Sequence, residues 1–328
     1  DDDENSLSYT IVTQPAEGSV ISNGDGTFTF DPESDFQNLA TGETRQVTFT
    51  FTATDSHAAT SNIGSVTVTV TGVNDTPTVS ASVSSGVTDA DGAYSLNLLA
   101  GASDVDVSDV LNVSGLTLVS GDASGITVNG NALEIDPYAY SALNVGQSEV
   151  ISYSYNVIDG NGGTVSQTAT ITISGVNNAP VAVADAFTTS EGVTLTSDNV
   201  LSANPTIADS DAEGQTLTVS AVAGGTVGAQ FTLASGALLT LNSDGTFSYD
   251  PNGQFEYLSL GEAATDSFTY TISDTETATD TATVTVIITG VNAAPTVGAA
   301  IGSTVNENDI AFNLNLLAGA SDVDTSDV

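Results

Sequence analysis

The chain alternates. Val47, Phe49, Phe51 and Ala53 share one parity, and Thr48, Thr50 and Thr52 hold the other. The pattern returns in Ile151, Tyr153, Tyr155 and Val157, and again in Phe268, Tyr270 and Ile272. Val66, Val68 and Val70 alternate in the same way with Thr67, Thr69 and Thr71. A period of two, with β-branched or aromatic residues on one face and hydroxyls on the other, predicts half-buried strands. Asn23-Gly24-Asp25-Gly26 and Asn242-Ser243-Asp244-Gly245 carry the side chains of tight turns between such strands. No stretch reads convincingly as a helix.

The pattern is repeated in blocks. Gly72-Val73-Asn74-Asp75-Thr76-Pro77 returns as Gly175-Val176-Asn177-Asn178-Ala179-Pro180 and as Gly290-Val291-Asn292-Ala293-Ala294-Pro295, at spacings of 103 and 115 residues. LNLLAGASDVD occurs at Leu96–Asp106 and at Leu314–Asp324, and DGTFTFDP at Asp25–Pro32 returns as DGTFSYDP at Asp244–Pro251. These spacings are the size of a domain rather than of a solenoid turn. The expected division is a repeat over 1–77 lacking its first two strands, complete repeats over 78–180 and 181–295, and the first two strands of another over 296–328. About seven short strands per repeat of roughly 100 residues predict an all-β chain of tandem two-sheet sandwiches of the immunoglobulin-like kind.

Charge then narrows the function. The 328 residues include 41 Asp and Glu against a single Lys or Arg, for a formal net charge of −40. With Arg45 as the one strong cation, binding to nucleic acid or to an anionic membrane surface is excluded. No apolar run has the length of a membrane span, so direct membrane insertion is not expected. Cys is absent, which removes disulfides and thiolate metal sites. A hydrophobic content of 40% argues against disorder despite the charge. Met is absent as well, and the chain reads as an internal stretch of a longer polypeptide.

The carboxylates are not scattered. With the strands of each repeat lettered A to G, Asp-x-Asp pairs fall in the B–C loops: Asp104/Asp106, Asp209/Asp211 and Asp322/Asp324, with Asp1/Asp3 opening the first repeat. A single Asp ends each F strand, at Asp55, Asp159 and Asp274. Both sets belong at the end of the sandwich that receives the linker. At the opposite end lie Asp89, Glu191 and Glu307 in the A–B turns, and Asp31, Asp136 and Asp250 in the E–F loops. Stacked repeats therefore gather carboxylates at each joint, where like charges repel unless a cation joins them. Alternate residues of an extended segment point the same way and can chelate together. An all-oxygen donor set suits calcium, while zinc would call for His or Cys.

An acidic A–B turn, an Asn-rich linker ending in Pro, DxD in the B–C loop and Asp at the F–G loop together resemble cadherin repeats. Phrases such as GVNDTP, DGTFTFDP and SDVD resemble more closely the cadherin-like repeats of giant bacterial surface adhesins, the RTX and VCBS-type extender regions. The resemblance spans the whole chain and implies an elongated rod of sandwiches stiffened by calcium. It further implies type I secretion to the bacterial cell surface and a role in holding an adhesive tip away from the cell, in biofilm or host attachment. It adds linker residues to the expected ligands: Asn74 and Asp75, Asn177 and Asn178, and Asn292. Asp75 is replaced by Asn178 and then by Ala293, so the later joints are expected to hold fewer ions or hold them more weakly. Calcium ions and neighbouring repeats are the implied partners, with polysaccharide or a host surface protein met through other regions.

Three other roles compete with the extender. A polysaccharide- or protein-binding module should show an aromatic cluster unique to one repeat, and the longest repeat adds only Phe231 in its extra residues. A hydrolase would depend on His57, which recurs nowhere, and catalysis is not expected. In a strand-donating filament subunit, Thr296–Asp324 of one molecule would complete the first repeat of the next. Tyr138, Tyr140 and Tyr257 read as sandwich aromatics, and the E–F Asp residues before Pro as plain turns.

Overall fold

The computed structural model of the chain describes residues 7–202, 207–298 and 300–325. It is all-β, with a single four-residue 3-10 turn, Pro137–Tyr140, among the described residues. The chain divides into two compact units, Asp1–Gly175 and Val176–Val328.

The first unit opens with β1 (Ser8–Thr13), β2 (Ser19–Ser22), β3 (Phe28–Asp31), β4 (Thr44–Thr54) and β5 (Gly64–Thr71). β1, β4 and β5 form one sheet in that order, and β2 and β3 form a hairpin. Its small core gathers Phe36, Leu39 and Val47. The unit continues with β6 (Thr78–Val79), β7 (Val83–Thr88), β8 (Tyr94–Asn97), β9 (Ala102–Ser103), β10 (Asn112–Ser120), β11 (Ile126–Asn129), β12 (Ala132–Ile135), β13 (Ser148–Ile158) and β14 (Thr164–Ser174). One sheet runs β10-β13-β14-β7 and the facing one β11-β12-β8. The alternation in β13 is realised in full: Ile151, Tyr153, Tyr155 and Val157 are buried in one cluster with Ile171 and Ile173 of β14, Leu133 of the other sheet and Leu98 in the turn after β8.

The second unit repeats this plan in β15 (Asp185–Ser190), β16 (Leu195–Asn199), β17 (Thr218–Val222), β18 (Phe231–Thr232), β19 (Leu238–Leu241), β20 (Thr246–Asp250), β21 (Ala263–Ser273) and β22 (Thr279–Thr289). Its sheets run β15-β22-β21-β17 and β16-β20-β19-β18. Phe187, Phe247 and Phe268 meet edge to face at the centre of its core. The short β23 (Thr296–Val297) and β24 (Ala320–Ser321) pair with each other beyond it. Full A and B strands are expected over 296–328, yet no strand forms between Gly298 and Gly319 among the described residues. Ile310 is 89% exposed there, and Leu316 and Leu317 are also exposed. A strand needs a partner ladder and a covered face, and neither lies over these residues.

Two features of this plan place the functional side chains. β7 pairs with β14, and β15 with β22, in parallel. Each ladder runs on into the A–B turn, where the amide of Asp89 donates to Ser174 and that of Glu191 to Thr289. Both acidic side chains are thereby held buried. The linkers begin at Gly72, Gly175 and Gly290, whose amides donate to the carbonyls of Glu43, Gln147 and Glu262. A Cβ on Gly175 would lie 2.4 Å from the carbonyl oxygens of Leu143 and Asn144, and those on Gly72 and Gly290 would be crowded in the same way. The glycine of the repeated linker phrase is thus required by close packing on the E–F loop.

Candidate functional site

The linker 73–77 settles on the B–C and F–G loops of the second repeat, all within the first unit. Asp159, at the end of β13, accepts through one oxygen from the amides of Asn161, Gly162 and Gly163, which fixes the F–G loop. Its other oxygen receives the side-chain amide of Asn74 at 2.9 Å. Burial pushes the Asp159 carboxyl up, but the bonds from Asn74 and the three amides outweigh it and hold it below the usual carboxylate range. Asp104 accepts the amide of Asp106, and Asp106 accepts the amide of Asp75 at 2.8 Å. Asp109 accepts the side-chain amide of Asn161.

Asp159 has both oxygens engaged, but four of its neighbours each leave one polar atom over. Asn74 Oδ1, Asp104 Oδ2, Asp106 Oδ1 and Asp109 Oδ2 are buried without a hydrogen-bond partner. Asp104, Asp109 and Asp159 can each bring a carboxylate oxygen within 4.8 Å of the others. Buried anionic oxygens without donors are costly to leave uncompensated. The set offers carboxylate and amide oxygens only, and this is the donor chemistry of a hard divalent cation such as calcium.

The third repeat is built differently. Asp274 holds its F–G loop through the amides of Glu276 and Ala278 and receives the side chain of Asn177 at 2.8 Å, as Asp159 receives Asn74. The DxD pair is expected at Asp209/Asp211, but the arrangement seen at Asp104/Asp106 is made by Asp211 and Glu213. Asp211 accepts the amide of Glu213, and Glu213 accepts the linker amide of Asn178 at 2.8 Å. Asp211 Oδ2 and Glu213 Oε2 are the buried oxygens without partners. Asp209 turns inward instead. It accepts the amide of Val183 and the hydroxyl of Tyr270, which also reaches Asp185 at 3.3 Å. Burial raises the Asp209 carboxyl and pushes that of Asp185 up to about 7.

At the far end of the third repeat, Glu191 accepts the linker amide of Val291, and Asp324 accepts that of Ala293. Asp322 in turn accepts the amide of Asp324. Glu191 Oε2 and Asp324 Oδ1 are buried without partners. Burial raises the Glu191 carboxyl, and the charges of Glu256 and Asp324 raise it further. Asn292 is exposed and bonds its side chain to the carbonyl of Ala293.

The remaining candidates fall outside these groups. Asp55 caps its own loop through the amides of His57 and Ala59, and Glu307 sits in an exposed turn. Asp1 and Asp3 lie outside the described residues. Asp31, Asp136 and Asp250 accept amides two residues on, the ordinary work of a turn Asp. The E–F residue close to Glu191 in charge is Glu256, which spacing alone does not mark. Asp109 and Glu213 also escape a reading confined to DxD. Glu213 continues the alternate spacing of its loop in DSDAE, whereas Asp109 stands three residues after Asp106 in DVDVSD; a further acid just after the DxD pair is the signal available for both.

Segments of the chain match three family models: a bacterial immunoglobulin domain over residues 1–71, a cadherin-like domain over 73–174 and a bacterial cadherin-like domain over 177–290. No curated protein matches the chain. Among solved structures it is similar to mouse cadherin-23 EC22-24, at 12% identity and a TM-score of 0.37 over 88% of this chain and 86% of that one. Mouse clustered PcdhgC3 EC1-3 is similar at 16% identity and a TM-score of 0.36, over 87% and 89%. The human desmocollin-1 ectodomain is similar at 12% identity and a TM-score of 0.39, over 92% and 57%. Bacterial cadherin-like and immunoglobulin-like domains thus stand in tandem along the chain, and domains of these kinds are typically structural modules of extracellular proteins.

Proposed function

We propose that this chain is a calcium-stiffened extender segment of a secreted bacterial adhesin. It carries no chemistry of its own and projects an adhesive region lying elsewhere in the protein. The observation that carries the reading is the set of buried, partnerless oxygens of Asn74, Asp104, Asp106 and Asp109 where the linker meets the second repeat. Cadherin-like domains generally bind calcium, and here Asn74, Asp104, Asp106, Asp109 and Asp159 would hold it. Glu191 and Asp324, with Asp322 behind them, would do so at the end of the third repeat. Bound calcium supplies positive charge that the chain itself lacks, and it ties linker, B–C loop and F–G loop into one body.

Calcium that binds the folded state and not the unfolded chain stabilises by mass action. In calcium-poor cytoplasm the carboxylates would keep the chain loose enough for export, and folding would be completed outside. Thermal unfolding in EDTA, in millimolar calcium and in millimolar magnesium tests the proposal. A large upward shift of Tm specific to calcium is expected. An unchanged Tm would reduce the loops to solvated turns and leave a metal-free spacer.

A further inference from the structure

The second and third repeats receive their linkers through corresponding bonds to the B–C and F–G acids, and they part at the bridge between those two loops. In the second repeat, Asp109 links the B–C loop to the F–G loop by accepting from Asn161, and its Oδ2 is left buried without a donor. The linker amide oxygen, Asn74 Oδ1, is left the same way. In the third repeat Gln215 makes the corresponding bridge. Its Oε1 accepts from the amide and the hydroxyl of Thr275 in the F–G loop. Its Nε2 donates to Asn177 Oδ1 at 2.7 Å. Asn177 is the counterpart of Asn74, so the oxygen left over in one repeat is satisfied in the other.

A carboxylate has acceptors only, whereas a glutamine amide brings two N–H donors. Where Asp109 adds an anionic oxygen to a group short of positive charge, Gln215 adds no charge and gives a donor to the linker oxygen of Asn177, leaving only Asp211 Oδ2 and Glu213 Oε2 without partners. We infer that the Gln215 amide stands in for a divalent cation. The third repeat then seats its linker with one calcium fewer than the second, and Asn177 stays in place without that ion. This rests on the calcium reading above and adds an unequal response to calcium: the linker at 73–77 orders only when the ion is bound, and the linker at 176–180 keeps its seat in the ion's absence.

Two measurements on the whole chain test the inference. Hydrogen exchange followed by mass spectrometry compares the two linkers in calcium and in EDTA. Chelation is expected to speed exchange over 73–77 by roughly tenfold or more and to leave 176–180 within about threefold. Native mass spectrometry in calcium then counts ions in the wild type, Gln215→Glu and Asp109→Asn. The first variant is expected to gain one calcium and the second to lose one. A chain that binds calcium but deprotects both linkers alike, with no ion gained in Gln215→Glu, would overturn the inference and leave the calcium reading standing. A wild type that binds no calcium would overturn both.

Discussion

Replacing Asp185 with Asn should stabilise the third repeat, by an amount that depends on pH. Asp185 is only 3% exposed and faces Tyr270, whose hydroxyl also reaches Asp209 and the carbonyls of Val183 and Val200. Burial is the main cause that lifts its carboxyl from 3.8 to about 7, and the nearby charge of Asp209 adds to it. The folded state therefore keeps a proton that the unfolded chain loses near pH 4. Stability from this group is complete below that pH, falls as pH rises toward 7 and is level above it. A shift of about three units corresponds to about 4 kcal/mol above pH 7. Asn is neutral at every pH, has nearly the same shape and can still accept from Tyr270. The variant should gain about 4 kcal/mol at pH 8 and about 2 kcal/mol at pH 5, with no advantage near pH 3.5. Hydrogen exchange of β21 and β22 in EDTA reads this directly, because comparison at one pH cancels the intrinsic exchange rate. Slowing by about a thousandfold at pH 8 and by some tens of fold at pH 5 is expected. Faster exchange in the variant at pH 8, or an advantage that does not shrink toward pH 5, would refute the reasoning.

Two further substitutions test the scaffold. Gly175→Ala drives a methyl group into the carbonyl oxygens of Leu143 and Asn144, and should cost about 2 kcal/mol in urea unfolding followed by tyrosine fluorescence. A neutral result would show that the E–F loop yields freely and that the linker glycine has another purpose. Tyr155 is buried, with its hydroxyl 2.7 Å from the carbonyl of Leu98 and pushed up to about 12 by burial, so it stays a donor. Tyr155→Phe leaves that carbonyl unpaired and should cost about 2 kcal/mol in the same assay, against about zero if water reaches Leu98.

The long strands β13, β14, β21 and β22 were legible because one parity is buried and the other is at least partly solvated, and a period of two records that difference directly. The placement of the linker ligands was only partly legible. DSDAE contains two overlapping acid-x-acid pairs, and nothing in the local sequence says which faces the linker. The choice is made by the longer path of the third B–C loop. Eleven residues separate Val200 from Asp211, against six between Leu98 and Asp104, although the carbonyls of Leu98 and Val200 both accept a tyrosine hydroxyl from the F strand. The added residues bring Asp209 back over the sandwich, where Tyr270 and the amide of Val183 take it. The role of Gln215 was not legible at all. A glutamine among acids carries no pattern, and its meaning depends on Asn177 and Thr275 standing on either side of it.

The chain's charge accounts for why unsatisfied oxygens collect where they do. Its lone strong cation is already engaged, with Arg45 pairing with Glu17 at 2.9 Å. The other carboxylates have only N–H or O–H donors and water to turn to, and many take a donor within a few residues. Asp25 and Asp244 each take the amide and hydroxyl of a Thr two positions on. Those bonds hold both acids below the usual range without any opposite charge. A turn can supply such donors because it is short and open to water. A linker seat cannot, because three segments close over the same few acids and each segment supplies only its own amides. Once Asp75, Asn178 and Ala293 have given theirs, the second oxygens of Asp106, Glu213 and Asp324 are buried with no donor left. In a chain with one arginine, a linker amide oxygen can be met by an amide placed for it, as Gln215 meets Asn177 Oδ1, and the remaining carboxylate oxygens by a cation drawn from outside.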